Sequence, residues 1–391
     1  MTVPAGGRAA AISGLGITEM GKVFGKSASW FAADAVRRAV ADAGLELSDV
    51  DGLLVSTGVS GGVGLALQRE VGFRDLTLLA EVQAFGATAG AMLQTAALAV
   101  QAGSSDVVVC VFADAPLRVD RSSGAAYGSS GMGRVGWNGI AAASGVSGAN
   151  PMYAMAARRH MERYGTTSEQ LAHVAVAQRA WAAMNPRAQM RDPINVDDHQ
   201  RSRMVADPFR LLDCCLVSNG GIAVVVTSAE RAADLAQPAV HVLGWSQCHP
   251  GRYLMRDDNL GLVTGASKSG PKALAMAGVG IEDVDVVELY DCYTFTVLVT
   301  LEDYGFCEKG EGGPFVSSGV LGPAGKLKLN TGGGQLSGYY MWGMTPLSEA
   351  IIQVRGQGGL RQAEQHSVAM VSGNGGVFDH HCTLVLGSDA R

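Results

Sequence analysis

Two segments of the chain repeat the same order of apolar and polar positions. The stretches AVADAGLELSDVDGLLVS (39–56) and ALAMAGVGIEDVDVVELY (273–290) each begin with a helical pattern of small residues, turn, and end in an apolar run. Gly44 and Gly278 stand where a helix C-cap would lie, and an Asp-Val-Asp turn precedes each apolar run. Both segments therefore predict a helix followed by a strand.

The similarity continues in the same order along the rest of both halves. A glycine-rich turn and a helix of small residues come first, and two apolar runs follow. The matching segments are 86–103 with 338–359, 106–114 with 367–373, and 217–228 with 371–387. Strands that alternate with helices predict βαβ units with right-handed crossovers, and hence two mostly parallel sheets with helices on their faces. The pattern predicts a duplicated α/β chain.

A helical insert lies within the first set of repeated segments, between 106–114 and 217–228. We predict a first half at 1–235, which includes this insert at about 120–205, and a second half at 236–391. Thr167 and Gln170 have the spacing of a capping box. The insert is also rich in arginine, which indicates either a local basic patch or an ordinary solvated helix face. These arginines are Arg158, Arg159, Arg163, Arg179, Arg187 and Arg191.

Composition narrows the class of protein. The 391 residues are 47% apolar and 17% charged, which is typical of a folded chain with a large core rather than a disordered one. A formal net charge of −6 argues against a general nucleic-acid or membrane-surface binder. We expect a cytoplasmic protein for three reasons. The seven cysteines include no C-x-x-C pair, the N-terminus has no signal-peptide pattern, and the chain has no long apolar run.

Several segments of the chain resemble the thiolase superfamily, in particular its sterol-carrier-protein-x or lipid-transfer-protein branch. The segments are YGTTSEQLAHVAVAQRAWAAMNPRAQMRDPI, DPFRLLDCCLVSNGG and ELYDCYTFTVLVTLEDYGFCEKGEGGPFV. The resemblance implies the thiolase fold, in which two βαβαβαββ halves pack in five layers with an inserted helical loop region. It also implies an acyl-CoA ligand and a homodimer.

The residues at the family's catalytic positions differ from those of a thiolase. Gly86, in QAFGATAGAML, stands where the family has its nucleophilic cysteine. The motif that reads N-E-A-F or H-D-C-F in relatives is Tyr290-Asp291-Cys292-Tyr293, and matching the glycine pair Gly333-Gly334 puts Tyr340 at the position of the family's basic histidine. The counterpart of the last cysteine is Ser372, or a residue one position away. Without a thiol at position 86, the usual acyl-enzyme cannot form there.

This pattern resembles the lipid-transfer-protein-type aldolases of bacterial steroid side-chain degradation. The resemblance implies retro-aldol cleavage of a 17-hydroxy steroid with a short CoA-thioester side chain, giving a 17-ketosteroid and propionyl-CoA. Tyr290 and Tyr340 would divide the proton transfers, although a phenol needs its pKa lowered from about 10 to act as a base. The resemblance further implies a small OB-fold, zinc-ribbon partner; we expect zinc only in that partner and no cofactor in this chain.

Other residues remain candidates for the same site. Tyr293 and His380 are further catalytic candidates, and Tyr339 is adjacent to the preferred position. The predicted substrate-binding residues are mainly glycines whose backbone could approach a thioester: Gly86, Gly333, Gly334, Ser372, Asn374 and Gly375. Two alternatives stay open: a non-catalytic acyl-CoA or lipid-binding scaffold, and a Claisen-type acetyltransferase that uses Cys292, Cys382 or another thiol.

Overall fold

The computed structural model describes residues 9–126, 137–146, 148–251 and 259–389. The strands are β1 (Ala10–Ile17), β2 (Gly52–Thr57), β3 (Leu78–Glu81), β4 (Val107–Asp114), β5 (Met204–Ala206), β6 (Phe209–Arg210), β7 (Gly220–Ser228), β8 (Val240–Cys248), β9 (Val286–Glu288), β10 (Lys328–Leu329), β11 (Val368–Gly375) and β12 (His380–Gly387). The helices are α1 (Ala28–Asp42), α2 (Leu67–Val71), α3 (Thr88–Gln101), α4 (Trp137–Ala143), α5 (Ala149–Tyr164), α6 (Ser168–Ala183), α7 (Val196–Arg201), α8 (Ala229–Ala233), α9 (Ala266–Ala277), α10 (Thr294–Tyr304), α11 (Gly312–Ser317) and α12 (Met344–Val354). Residues 127–136 and 147 of the predicted insert, residues 1–8 of the predicted first half, and residues 252–258 and 390–391 of the predicted second half lie outside the described residues.

The predicted duplication is present in the sheet. Each half runs βαβαβαββ, and the strands form one continuous order, β10-β9-β11-β12-β8-β1-β7-β4-β2-β3. In each half three neighbouring strands are parallel, whereas the last strand, β7 or β12, is antiparallel to both of its neighbours. The halves meet where β1 pairs briefly with β8. The 235/236 boundary falls between α8 and β8.

Helices and strands stack in five layers. Helix α1 covers the outer face of the first half's strands, and α9, with α10 packed beside it, covers the outer face of the second half. Helices α3 and α12 lie between the two sets of strands and contact both. Every residue of α12 is buried, as expected for a helix with sheets on two sides. The central layer brings the N-terminal ends of α3 and α12 to the interface between the halves.

Local signals in the sequence agree with these elements. Gly44 and Gly278 adopt left-handed backbone conformations at the ends of α1 and α9, which confirms the predicted caps. The hydroxyl of Thr167 accepts from the Gln170 N–H and the Gln170 side chain accepts from the Thr167 N–H, which confirms the capping box. Within the described ranges, no helix is long and apolar enough to cross a membrane.

The arginines of the insert do not all share one solvent-exposed face. Arg179 is buried, and its side chain donates to the Ser337 hydroxyl and to the Asp192 carbonyl. Arg158 pairs with Asp207 on the surface. At least one member of the predicted basic patch therefore supports the protein's own loops instead of facing an anionic ligand.

Candidate active site

Two tyrosines meet at the interface between the halves. Tyr290 follows the end of β9, and Tyr340 follows a π-helical turn at Gly334–Gly338. Their hydroxyl oxygens are 3.0 Å apart and share a hydrogen bond. Tyr290 is buried and Tyr340 is half-buried. The two residues that the sequence predicted as a proton-transfer pair are therefore in direct contact.

Gly86 lies directly against this pair. It sits in a tight turn, Phe85–Ala87, that leads into α3, and Phe85 has a positive φ of 50°. A Cβ atom at Gly86 would lie 2.3 Å from both Cε2 and Cζ of Tyr290, and 2.1 Å from the Asn374 carbonyl oxygen. No side chain fits in so little space. The ring of Tyr290 occupies the volume into which a nucleophile at position 86 would project.

The end of β11 packs against the same turn. A Cβ at Gly373 would lie 2.6 Å from the Gly86 carbonyl oxygen, and one at Gly375 would lie 2.4 Å from the Ala84 carbonyl oxygen. Because side chains alternate along a strand, Ser372 and Asn374 point to the opposite face of β11. Gly373, not Ser372, therefore faces Gly86.

Ser372 and Asn374 are both buried on that opposite face. The Ser372 hydroxyl accepts a hydrogen bond from the Tyr290 N–H at 3.1 Å, so it contacts the protein's own backbone instead of an open substrate site. Both polar atoms of the Asn374 carboxamide lack a hydrogen-bond partner among the residues that the structure describes. The structure thus separates the predicted substrate-binding residues of β11 into two faces with different surroundings.

Asp291 anchors the turn that carries Tyr340. Its buried carboxylate accepts from the backbone N–H groups of Gln335, at 2.8 and 2.9 Å, and Leu336, at 3.1 Å. Burial raises the pKa of Asp291 to about 7, even though these hydrogen bonds oppose the shift. A carboxylate beside Tyr290 in the chain therefore caps the π-helical turn that precedes Tyr340.

Gly333 and Gly334 make room for other parts of the protein. Both have positive φ angles, 90° and 57°. A Cβ at Gly333 would lie 2.5 Å from Cβ of Ala182, and one at Gly334 would lie 2.2 Å from a carboxylate oxygen of Asp291. On the side where a Cβ would project, Ala182 of α6 and Asp291 fill the space, and the approach of this glycine pair to a substrate stays a prediction.

The two additional catalytic candidates have other partners. The Tyr293 hydroxyl donates to Asn150 Oδ1 at 2.5 Å, its ring stacks on Phe209 with centroids 4.7 Å apart, and burial raises its pKa well above the usual value. His380 Nδ1 lies 3.0 Å from His249 Nδ1, and its ring stacks on Phe85 with centroids 6.0 Å apart. Burial lowers the pKa of His380. Tyr293 thus packs against the insert, whereas His380 borders the turn that contains Gly86.

The two thiols named for the Claisen alternative, Cys292 and Cys382, are poorly placed for nucleophilic chemistry. Burial raises the pKa of Cys292, and it raises the pKa of Cys382 to about 12. A Cβ at Gly90 would lie 2.2 Å from the Cys382 sulfur, so this thiol packs against the backbone of α3. Since the thiolate is the nucleophile, these surroundings disfavour the Claisen alternative.

One residue of the site was not found from the sequence. Ser218, just before β7, is buried, and its hydroxyl accepts from the Tyr340 N–H at 2.9 Å. The signal available in the sequence was the recurrence of Val-Ser followed by Asn and Gly, in VSNGG and VSGNGG. Ser372 was predicted only as the counterpart of the family's last cysteine, and Ser218 was not predicted.

The five-layer duplicated fold, with position 86 at the start of α3, defines the class of protein. The chain belongs to the thiolase family: the thiolase N-terminal domain matches residues 10–230 and the thiolase C-terminal domain-like family matches residues 246–388. The resemblance noted in the sequence is thereby confirmed.

Particular relatives narrow the comparison. The chain is 38% identical to a "steroid side-chain-cleaving aldolase" of Thermomonospora curvata, over 97% of this chain and 98% of that protein. It is 37% identical to the "17-hydroxy-3-oxo-4-pregnene-20-carboxyl-CoA lyase" of Mycobacterium tuberculosis, over 94% and 96% of the two chains. A solved structure described as "Ltp2-ChsH2(DUF35) aldolase" matches with a TM-score of 0.88 and 36% identity, covering 99% of both chains.

Proposed function

We propose that this protein is an aldolase, a carbon–carbon lyase that cleaves a β-hydroxyacyl-CoA. One observation carries the proposal: the hydroxyls of Tyr290 and Tyr340 are 3.0 Å apart, beside a glycine that leaves no space for a nucleophilic side chain. Such a site can move protons but offers no covalent attachment at position 86. Its relatives named as an aldolase and a CoA lyase point to the same reaction class.

A retro-aldol reaction fits two hydroxyl groups. One phenol, in its ionised form, takes the proton from the substrate's C3 hydroxyl, and the C3 oxygen forms a carbonyl as the C2–C3 bond breaks. The electron pair of that bond passes into the thioester as an enolate, which must be stabilised and then protonated at C2. The second phenol supplies a hydrogen bond and a proton path. We assign the enolate oxygen to the backbone around Gly86 and Gly375, at the N-terminal end of α3.

The proposed substrate is a 17-hydroxy steroid with a short CoA-thioester side chain. The relative named as a 17-hydroxy-3-oxo-4-pregnene-20-carboxyl-CoA lyase supports this substrate class. Cleavage between C17 and the α-carbon of the side chain yields a 17-ketosteroid and propionyl-CoA. In this numbering C17 is the C3 carbon of the acyl chain, so the atoms balance without an oxidant or a metal.

The proposed active form is a complex with a second protein. The solved structure at 36% identity names a DUF35 protein together with the aldolase, and this supports a partner of that kind for the present chain. We further propose that the partner is a small OB-fold, zinc-ribbon protein and that the thiolase-like chains pair as a homodimer.

Product analysis tests the proposal directly. The protein, with and without a DUF35-type protein such as the one named in that solved structure, is incubated with a 17-hydroxy-steroid acyl-CoA. We expect propionyl-CoA and the 17-ketosteroid in equal amounts, measured by chromatography and mass spectrometry. Substrate that stays intact in the presence of the partner would contradict the aldolase assignment and favour the non-catalytic scaffold. Acetyl transfer to free CoA would favour the Claisen alternative.

A further inference from the structure

Two buried serines each hold the backbone of one tyrosine of the pair. The Tyr290 N–H donates to the Ser372 hydroxyl at 3.1 Å, and the Tyr340 N–H donates to the Ser218 hydroxyl at 2.9 Å. Both serines are essentially inaccessible to solvent. A buried backbone N–H requires a hydrogen-bond acceptor. For both tyrosines this acceptor is a serine hydroxyl and not a carbonyl of a sheet or helix.

Ser218 belongs to a segment that contacts both loops of the site. The Cys215 N–H donates to the Cys292 carbonyl at 3.0 Å, two residues beyond Tyr290. The Leu216 N–H donates to the Gln335 carbonyl at 2.9 Å, in the π-helical turn before Tyr340. The Ser218 hydroxyl also accepts from the Gln189 side chain at 2.5 Å. This strand-like segment of the first half therefore ties together the two loops of the second half.

Ser372 has polar neighbours across the sheet. It pairs with Thr383 of β12, whose hydroxyl bonds to that of Tyr304 at 2.8 Å, and the Tyr304 hydroxyl also bonds to His381 Nε2 at 3.0 Å. These residues lie on the face of β11 and β12 away from Gly86. Ser372 therefore acts on the site through the backbone of Tyr290, not by touching a ligand.

We propose that Ser218 and Ser372 are positioning residues that keep the two catalytic hydroxyls in contact. The inference rests on the proposed aldolase function and adds two residues that do not touch the substrate. The two hydroxyls, 3.0 Å apart, belong to residues 50 positions apart in the chain. Their separation therefore depends on how each of the two backbone segments is held in place. Since a misplacement of about 1 Å can lower turnover roughly a hundredfold, fixing both backbones has a direct effect on rate.

A threonine–valine comparison at each serine tests this role. Thr keeps the accepting oxygen and Val replaces it with a methyl group of similar size, so crowding is matched within each pair. We expect Ser218→Val and Ser372→Val to have a kcat at least tenfold below Ser218→Thr and Ser372→Thr, with KM within about threefold. Ser13, a buried serine whose neighbours are Val225 and Thr227 of β7, is the control. Its Thr and Val variants should have equal kcat.

The outcomes separate this inference from the proposed function. Equal kcat for Thr and Val at both serines, in a preparation whose parental protein cleaves the steroid thioester, would overturn the positioning role alone. A parental protein without cleavage activity would instead overturn the proposed function. If the Thr and Val variants do not fold, Ser218→Ala is measured alone and with Tyr340→Phe. The serine effect should then vanish in the Phe background; additive losses would contradict the proposal.

Discussion

The ring of Tyr290 fills the space into which a side chain at Gly86 would extend, with a distance of only 2.3 Å from a Cβ at Gly86 to the ring. A cysteine side chain at position 86 and the ring of Tyr290 cannot occupy the same volume. The presence of this tyrosine and the absence of a side chain at position 86 therefore go together. The hydroxyl of that tyrosine then reaches Tyr340. The space beside Gly86 therefore holds one member of a hydrogen-bonded hydroxyl pair.

Removing either hydroxyl should stop catalysis without unfolding the protein. We expect Tyr290→Phe and Tyr340→Phe to lower kcat by roughly 10²- to 10⁴-fold, the usual contribution of a general acid or base. The melting temperature should stay close to that of the parental protein because both rings remain. Tyr339→Phe is the matched control, since the Tyr339 hydroxyl contacts Ser348 and not the pair. A Tyr339 variant as inactive as the other two would contradict the assignment.

A side chain at position 86 should displace Tyr290. We expect Gly86→Ala to lower both turnover and the free energy of unfolding, the latter by about 1–3 kcal/mol through overpacking. Gly86→Cys should not restore thiolase chemistry while the Tyr290 ring is present. Gly124→Ala is the control, because no atom of the described residues lies within 4 Å of a Cβ there. Chemical denaturation and propionyl-CoA assays measure the two effects; a fully active Gly86→Ala protein would refute the packing argument.

Alkylation should spare the activity. Burial raises the pKa of Cys214, Cys307 and Cys382 to about 12 each, and it also raises the pKa of Cys292. With a pKa of 12, the ionised fraction at neutral pH is on the order of one thiol in 10⁴ or fewer. We expect turnover to survive iodoacetamide at pH 7.5, with modified sites identified by peptide mass spectrometry. Loss of activity in proportion to the labelling of a single thiol would instead support the Claisen alternative.

Asp291 should make stability depend on pH. Its folded pKa of about 7 exceeds the unfolded value of about 4, so the folded state binds the extra proton between these values. Its contribution is therefore fully present below about pH 4 and is lost as the pH rises through 7. We expect the unfolding free energy of the parental protein, relative to Asp291→Asn, to fall by about 3 kcal/mol between pH 5 and pH 8.

Denaturation at several pH values measures this difference. Asp213→Asn serves as a comparison, because Asp213 is equally buried but pairs with His199 and Thr294 instead of the π-helical turn. Asp291→Asn should also lower kcat, since an amide cannot accept from all the N–H groups that now meet the carboxylate. A difference that does not change with pH would contradict the raised pKa of Asp291.

The duplication and the order of elements could be predicted from patterns in the sequence, and the tyrosine pair from the resemblance of two motifs to those of the thiolase superfamily. Each depends on residues that are neighbours in the chain: a helical or strand period, a capping box at Thr167, a left-handed glycine at Gly278. The absence of a thiol at Gly86 needs only the order of residues in one motif. Such signals are local, because backbone conformation depends first on adjacent side chains.

The contacts around the pair were decided by the tertiary structure. The pleat of β11 puts Gly373 rather than Ser372 against Gly86, and a one-residue difference in register exchanges the two faces of a strand. The sequence around Gly333 and Gly334 would be the same whether a ligand or the protein's own chain filled the space beside them. Ser218 reaches Tyr340 across 122 positions of the chain. Which atoms occupy a given volume depends on packing between distant segments, and no pattern along the chain encodes that directly.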